Sequence, residues 1–205
     1  MRRTTSILLG LVLMATALRA QNGTPLDNAA ATEFLHNMAQ TALNTQHLEC
    51  QFEQQRHVTV LTEPAVSEGR MSYTAPATLS WEYTSPQPMS IGLSNGQCRI
   101  SNAQGEMNIP PAAQRQIRSL TQLIGSLVDG SALTDSKAFS TALSDLNNGR
   151  VQVRLSPKNA KLRKMFEQID MEIDQRTMRC QTITLLESSG DRTNIEFSKI
   201  TTTSK

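Results

Sequence analysis

Apolar side chains fall at every second residue in Leu79-Trp81-Tyr83, Met89-Ile91-Leu93, Val151-Val153-Leu155 and Ile169-Met171-Ile173, the spacing that turns them to one face of a β-strand. The same reading predicts strands over Leu48 to Gln54, bending through Val58 and Val60 to a turn at Glu63-Pro64, then Gly69 to Tyr73, Thr78 to Tyr83, Met89 to Leu93 and Gln97 to Asn102. Asn95-Gly96 tolerates the positive φ angles of a two-residue type I′ turn and makes a hairpin of the last two. Further strands are predicted at Val151 to Leu155, Phe166 to Asp174, Met178 to Leu186 and Arg192 to Ile200, with Ser189-Gly190 turning the last pair. Between Cys180 and Ile183 the apolar phase slips by one residue, which predicts a bulge.

Three stretches carry helical spacing instead. After a disordered lead at 21–26, Asp27 caps a helix with Phe34, Leu35, Met38, Ala42 and Leu43 on one side, ending near Asn44. Pro110-Pro111 opens a second helix, in which Ile117, Leu120, Ile124, Leu127 and Val128 follow the i, i+3, i+4 rule and Asp129-Gly130 is the stop. A third is expected from about Ser136 to Leu146, with Ala138, Phe139, Ala142 and Leu143 on one face and Asn147-Asn148-Gly149 ending it. The fold class expected is α+β, mainly β: an antiparallel sheet with too many strands to stay flat, its concave face apolar and covered by about three helices, its convex face wet.

The N-terminus changes where this protein is expected to work. Arg2 and Arg3 precede the apolar run Ile7 to Met14 and a small-residue tail to Ala20, a secretory signal peptide rather than a spanning helix, which needs about 20 apolar residues. Cleavage is expected near Ala20, with Ala17 the alternative because Leu18 is large for its position. Residues 21–205 then form one exported domain in the periplasm, without a lipid anchor, because the first cysteine is Cys50. Losing three arginines and no acid from 20 basic and 18 acidic residues leaves 17 against 18. Without clustered positive charge, nucleic-acid binding has no support.

Candidate chemistry is sparse. His36, His47 and His57 have no metal-like spacing with Cys or carboxylates, and there is no nucleophile elbow, phosphate loop or dinucleotide fingerprint. Asp170 and Glu172 alternate with apolar residues and so face water. The expectation is no enzyme, no cofactor and no metal. Cys50, Cys98 and Cys180 are in phase with apolar neighbours; three small inward-facing hydrophobes and one disulfide of unassigned pairing are both open. Nine methionines in the chain suit a surface that adapts to varied apolar shapes, though any one of them serves equally as core filler.

One stretch carries a family likeness. Phe52-Glu53-Gln54-Gln55, Gly69-Arg70-Met71-Ser72-Tyr73 and Pro76-Ala77-Thr78-Leu79-Ser80-Trp81-Glu82-Tyr83, with Pro86 following, resemble the signature of the periplasmic outer-membrane lipoprotein carrier family, LolA. Ile183 to Glu187, Gly190 to Thr193 and Ile195 to Phe197 resemble its closing hairpin. The resemblance implies an incomplete, half-open antiparallel β-barrel with a helical lid over an apolar cavity for the acyl chains of lipoproteins. It implies an inner-membrane donor complex, an outer-membrane acceptor and a monomeric carrier between them. Ala75 stands where the family often has a lid-latching Arg, and the chain stops soon after Ile200. The floor expected from pattern and likeness together is Phe52, Met71, Tyr73, Leu79, Trp81, Tyr83, Met89, Ile91 and Leu93, and the lid is Ile117, Leu120, Ile124 and Leu127. Gly125 is expected to ease lid movement. A LolA-like module that senses a lipid or partner protein, and shuttles nothing, is the alternative.

Overall fold

The computed structural model describes residues 23–128 and 130–204; the expected leader at 1–20 and the Asp129 part of the helix stop lie outside the described residues. In chain order the elements are β1 (Thr24–Pro25), α1 (Asn28–Asn44), β2 (Thr45–His57), β3 (Ala65–Thr74), β4 (Thr78–Ser85), β5 (Met89–Ser94), β6 (Gln97–Asn102), β7 (Gly105–Glu106), α2 (Pro111–Val128), α3 (Ser131–Thr134), β8 (Phe139–Asp145), β9 (Arg150–Pro157), α4 (Ala160–Arg163), β10 (Phe166–Asp174), β11 (Arg179–Glu187) and β12 (Arg192–Ser204). The strands form one antiparallel sheet in the order β1-β8-β9-β10-β11-β12-β2-β3-β4-β5-β6-β7, not closed on itself. Its spine is the long pairing of β2 with β12, which joins the two halves of the chain.

Local chemistry accounts for the elements. Asp27 Oδ1 accepts from Ala30 N–H at 2.8 Å and caps α1, whose Phe34 and Met38 are buried. Pro111 supplies the first residue of α2, where a missing N–H costs nothing. Asn95 and Gly96 both have positive φ, 51° and 73°, as a type I′ turn requires. On β11, Thr182 pairs with Glu172 and Cys180 with Ile173, leaving Gln181 as the expected bulge.

The expected third helix is a strand. Residues 139–145 form β8, paired with β9 and, at its end, with β1. Phe139 and Leu143, the two buried members of the expected helical face, are four residues apart, which suits one face of a helix and one face of a strand equally. The misleading residues were Ala138 and Ala142, which lie outside the buried set, and Asn147-Asn148-Gly149 is the hairpin turn into β9 rather than a helix stop. The cover therefore consists of two long helices, α1 and α2, and two single turns, α3 and α4. The lead is not free either, since Thr24 and Pro25 pair with Asp145 and Ser144.

The convex face carries cross-strand ion pairs: Arg154 to Asp170 at 2.9 Å, Arg150 to Glu172 at 2.9 Å and Arg70 to Glu82 at 3.9 Å. Asp170 and Glu172 thus serve the wet side of the sheet. On the concave side, Val153, Leu155, Ile169, Met171, Ile173 and Ile183 have no exposed surface at all.

Candidate functional site

The expected floor residues come from four adjacent strands and lie in register. Met71, Trp81, Ile91 and Ile100 make one row across β3, β4, β5 and β6; Tyr73, Leu79, Leu93 and Cys98 make the next. Gly69, Tyr83 and Met89 make a third, with Phe52 on β2 opposite Gly69. Directly opposed side chains on one face lie about 5 Å apart and pack as units. Phe52 stacks on Trp81 with ring centroids 4.2 Å apart and meets Tyr83 edge-on at 5.4 Å. Trp81 also takes the edge of Phe197 from β12 at 6.2 Å. This aromatic knot ties the floor to the spine.

Polar groups among these rings are few. Tyr73 donates to Pro76 O at 3.0 Å, and Tyr83 to Gln54 Oε1 at 3.2 Å. Burial raises the Tyr83 pKa, opposed by the adjoining Trp81 and Gln54. Trp81 Nε1 is buried with no partner at hydrogen-bonding distance and angle.

Helix α2 lies over β5 and β6. Ile124 and Leu127 are buried, while Ile117 and Leu120 pack half-buried against the same cluster. A Cβ built on Gly125 would stand 3.9 Å from Leu79 Cδ2, so the smallest residue of the helix rests on the floor. Gln114 Nε2 donates to Cys98 O at 3.3 Å and pins the first turns to β6.

The sealing is uneven. Phe52, Met71, Leu79 and Trp81 are 2–3% exposed, but Tyr83, Met89 and Ile91 on the floor, and Ile117 and Leu120 above it, are only half-buried. The concave side also runs further than expected from sequence: Leu48, Cys50, Cys98, Ile100 and Phe197 belong to the same buried cluster. Their alternation was visible in the chain, but which strands would lie next to one another was not. A cleft beside the floor, between Leu48, Cys50, Met71, Cys180, Phe197 and Ile200, has a free volume of about 10 Å³, room for about one water. A recess of about 430 Å³ opens on the opposite face among Glu49, Gln51, Arg70, Ser80, Glu82 and Lys199, and those polar walls do not suit an apolar guest.

All three cysteines are free thiols. Cys50 and Cys180 share the small cleft from β2 and β11, but β12 runs between those strands, setting them about 9–10 Å apart, beyond the ~7 Å Cα separation a disulfide can span. Burial pushes the Cys50 thiol up to about 12, against a hydrogen bond from the Met71 backbone, and raises Cys180 as well. Among the described residues no three His, Cys, Asp or Glu side chains gather as metal ligands, and no helix is long and apolar enough to cross a membrane.

No curated protein sequence matches the chain. A chain of the Pseudomonas aeruginosa MucA/MucB complex superposes with a TM-score of 0.50 at 14% identity, over 84% of this chain and 57% of that one, and MucB itself with 0.50 at 14%, over 85% and 59%. This chain therefore spans well under two thirds of MucB. A LolA superfamily protein from Nitrosomonas europaea gives a TM-score of 0.43 at 8% identity, over 83% and 92% of the two chains. The Mycobacterium tuberculosis lipoprotein LppX gives 0.43 at 9%, over 85% and 96%. At 14% identity the likeness to the MucA/MucB chain is one of fold. The sequence itself matches a family model over residues 43–205, "Outer membrane lipoprotein carrier protein LolA", and the chain belongs to that family.

Proposed function

We propose that this protein is a periplasmic carrier that shelters the acyl chains of lipoproteins on the floor formed by Phe52, Met71, Tyr73, Leu79, Trp81, Tyr83, Met89, Ile91 and Leu93, under a lid carrying Ile117, Leu120, Ile124 and Leu127. The observation that supports this most is the contrast in sealing. Val151, Val153 and Leu155 of β9 and Phe166, Ile169, Met171 and Ile173 of β10 are buried, while Tyr83, Met89 and Ile91 of the floor and Ile117 and Leu120 of α2 are only half-buried. Where a core is least sealed, a guest displaces the fewest contacts on entering.

Each methylene removed from water is worth roughly 0.8 kcal/mol, so acyl chains need an apolar shelter to leave a membrane. A shelter that only gained by binding would never release them. In the closed arrangement α2 occupies the floor, so entering chains must displace Ile124 and Leu127, which offsets much of the transfer energy and keeps loading reversible. Trp81 Nε1, an unmet buried donor, would be satisfied by the ester carbonyl of an entering chain. Nothing in this cycle needs catalysis, a cofactor or a metal. Loading from an inner-membrane donor and unloading to an outer-membrane acceptor complete it, with the carrier a monomer after removal of the leader.

A second reading is favoured by the β2–β3 turn, where Val60 is 88% and Leu61 59% exposed. Asp191 accepts from the Thr59 N–H at 3.0 Å and the Thr59 hydroxyl at 3.1 Å, and Arg56 pairs with Glu187 and Asp191. A braced turn that holds two aliphatic side chains in water suits a docking contact, and with it a sensor that recognises a lipid or a partner without shuttling.

Mass spectrometry of material extracted from the exported protein separates the two. Acylated peptide supports the carrier, a free lipid or glycolipid supports the sensor, and an empty protein that takes up no acylated peptide in vitro overturns the carrier reading. Trp81→Phe and Trp81→Ala should weaken uptake in that order; normal uptake by a folded Trp81→Ala protein would count against the floor assignment.

A further inference from the structure

The lid helix carries an unpaired charge at the seam with the sheet. Arg118 is half-buried, its Nε is fully buried without a hydrogen-bond partner, and among the described residues it makes no ion pair. Its charge acts on Cys98 of β6, lowering a thiol that burial raises, which places the guanidinium over the strand that Gln114, one turn earlier, already grips. The surroundings offer no counter-charge from the helix itself: α2 contains Arg115 and Arg118 and no acid. The next cation adds to it, since Lys161 of α4 reaches Ser119 Oγ at 3.5 Å. Lys161 belongs to the stretch Pro157 to Phe166, which holds four cations and no acid.

An uncompensated charge with a desolvated Nε is costly, and a guanidinium's fork matches carboxylate and phosphate oxygens in particular. The position is also where an amphiphile's head would have to be. Chains lying along the rows from Trp81 and Ile91 towards Ile100 run to β6, and the floor there meets the seam between α2 and β6. We propose that Arg118, with Arg115 one turn before it and Lys161 against the next residue, binds the anionic headgroup, a carboxylate or a phosphate, of an amphiphile whose chains lie on the floor. The proposal rests on the apolar-cargo reading and narrows it: the preferred guest carries negative charge next to its chains.

The protein's single tryptophan, Trp81, reports occupancy of the floor directly. Quenching of its fluorescence in the exported protein would be titrated with dibromostearate, with its uncharged methyl ester and with a dibrominated phosphatidic acid. The wild type should bind at least one of the anions about tenfold or more tightly than the ester, the size expected of a hydrogen bond to a charged group. Arg118→Gln should lose that preference while keeping its affinity for the ester, which also shows that the variant is folded, and Arg118→Lys should retain part of it. Whichever anion gains more from Arg118 identifies the head as carboxylate or phosphate. Equal binding of acid and ester by the wild type, or a preference that survives in Arg118→Gln, overturns the headgroup site and leaves the apolar floor standing. No quenching by any of the three probes overturns both.

Discussion

At Gly69 a Cβ would collide with the carbonyl oxygen of Glu82 and come within 2.5 Å of Phe52 Cζ. The absence of a side chain there lets the Phe52 ring cross β3 and reach Trp81. Gly69→Ala should therefore push the ring off its stack and destabilise the fold by about 1–3 kcal/mol, the usual cost of overpacking, seen in denaturant unfolding and in the near-ultraviolet circular dichroism of Trp81. Gly92 on β5 is the matched control, because a Cβ there meets nothing within 4 Å, and Gly92→Ala should change stability by less than about 0.5 kcal/mol. The glycine before Arg70 was legible as part of a family-like signature. Its reason was not, because the ring it accommodates comes from a residue 17 positions earlier in the chain, and only strand pairing brings the two together.

For whole elements, periodicity identified α1, α2 and most strands and failed where two periods coincide, as Phe139 and Leu143 show in β8. The short edge strands β1 and β7 were invisible because two residues carry no period. The stripe of α2 marks it in sequence as a helix that packs on the sheet, but Arg118 carries no such signal: an arginine on an amphipathic helix looks like solvated surface until the fold brings it to act on Cys98. Ile117 and Leu120 are only half-buried, so the first turns of α2 have fewer apolar contacts to hold them than the strands of the sheet do. Hydrogen exchange should show α2 amides exchanging by local opening, faster than those of β10, whose protection should approach that of global unfolding. The β2–β3 turn has its own lock. The Thr59 backbone N–H holds the Asp191 carboxyl below its ordinary value of 3.8, helped by the Thr59 hydroxyl and Arg56. A depressed carboxylate stabilises above its unfolded pKa and stops doing so as pH falls through the folded one. Exchange at Thr59 and Leu61 should therefore be faster in Asp191→Ala than in the wild type at neutral pH, with the two proteins beginning to converge only as pH falls below 3.8 and meeting below the depressed folded value.

Across the whole molecule, the three thiols measure how tightly the structure is shut. Cys50 is 5% exposed and its pKa is pushed up to about 12, so almost no thiolate exists near neutral pH, and the thiolate is the reactive form. Ellman's reagent should leave Cys50 unmodified in the native protein and modify it on unfolding. Rapid native modification would mean that the spine between β2 and β12 opens readily, against the long pairing seen there. The global arrangement was the least readable level of all: alternation announces an apolar face but not which strands are neighbours, and the chain crosses from β12 to β2 over most of its length to close the middle of the sheet.

The contrast between the buried apolar side chains of β9 and β10 and the half-buried Tyr83, Met89 and Ile91 has an evolutionary side. These half-buried residues at the rim of the floor sit apart from the residues of β9 and β10 that hold that half of the sheet together. Variation at Tyr83, Met89 or Ile91 is then free to retune which guests are accepted, with little risk to folding, so descendants of such a scaffold can diversify in what they carry long before they diverge in shape.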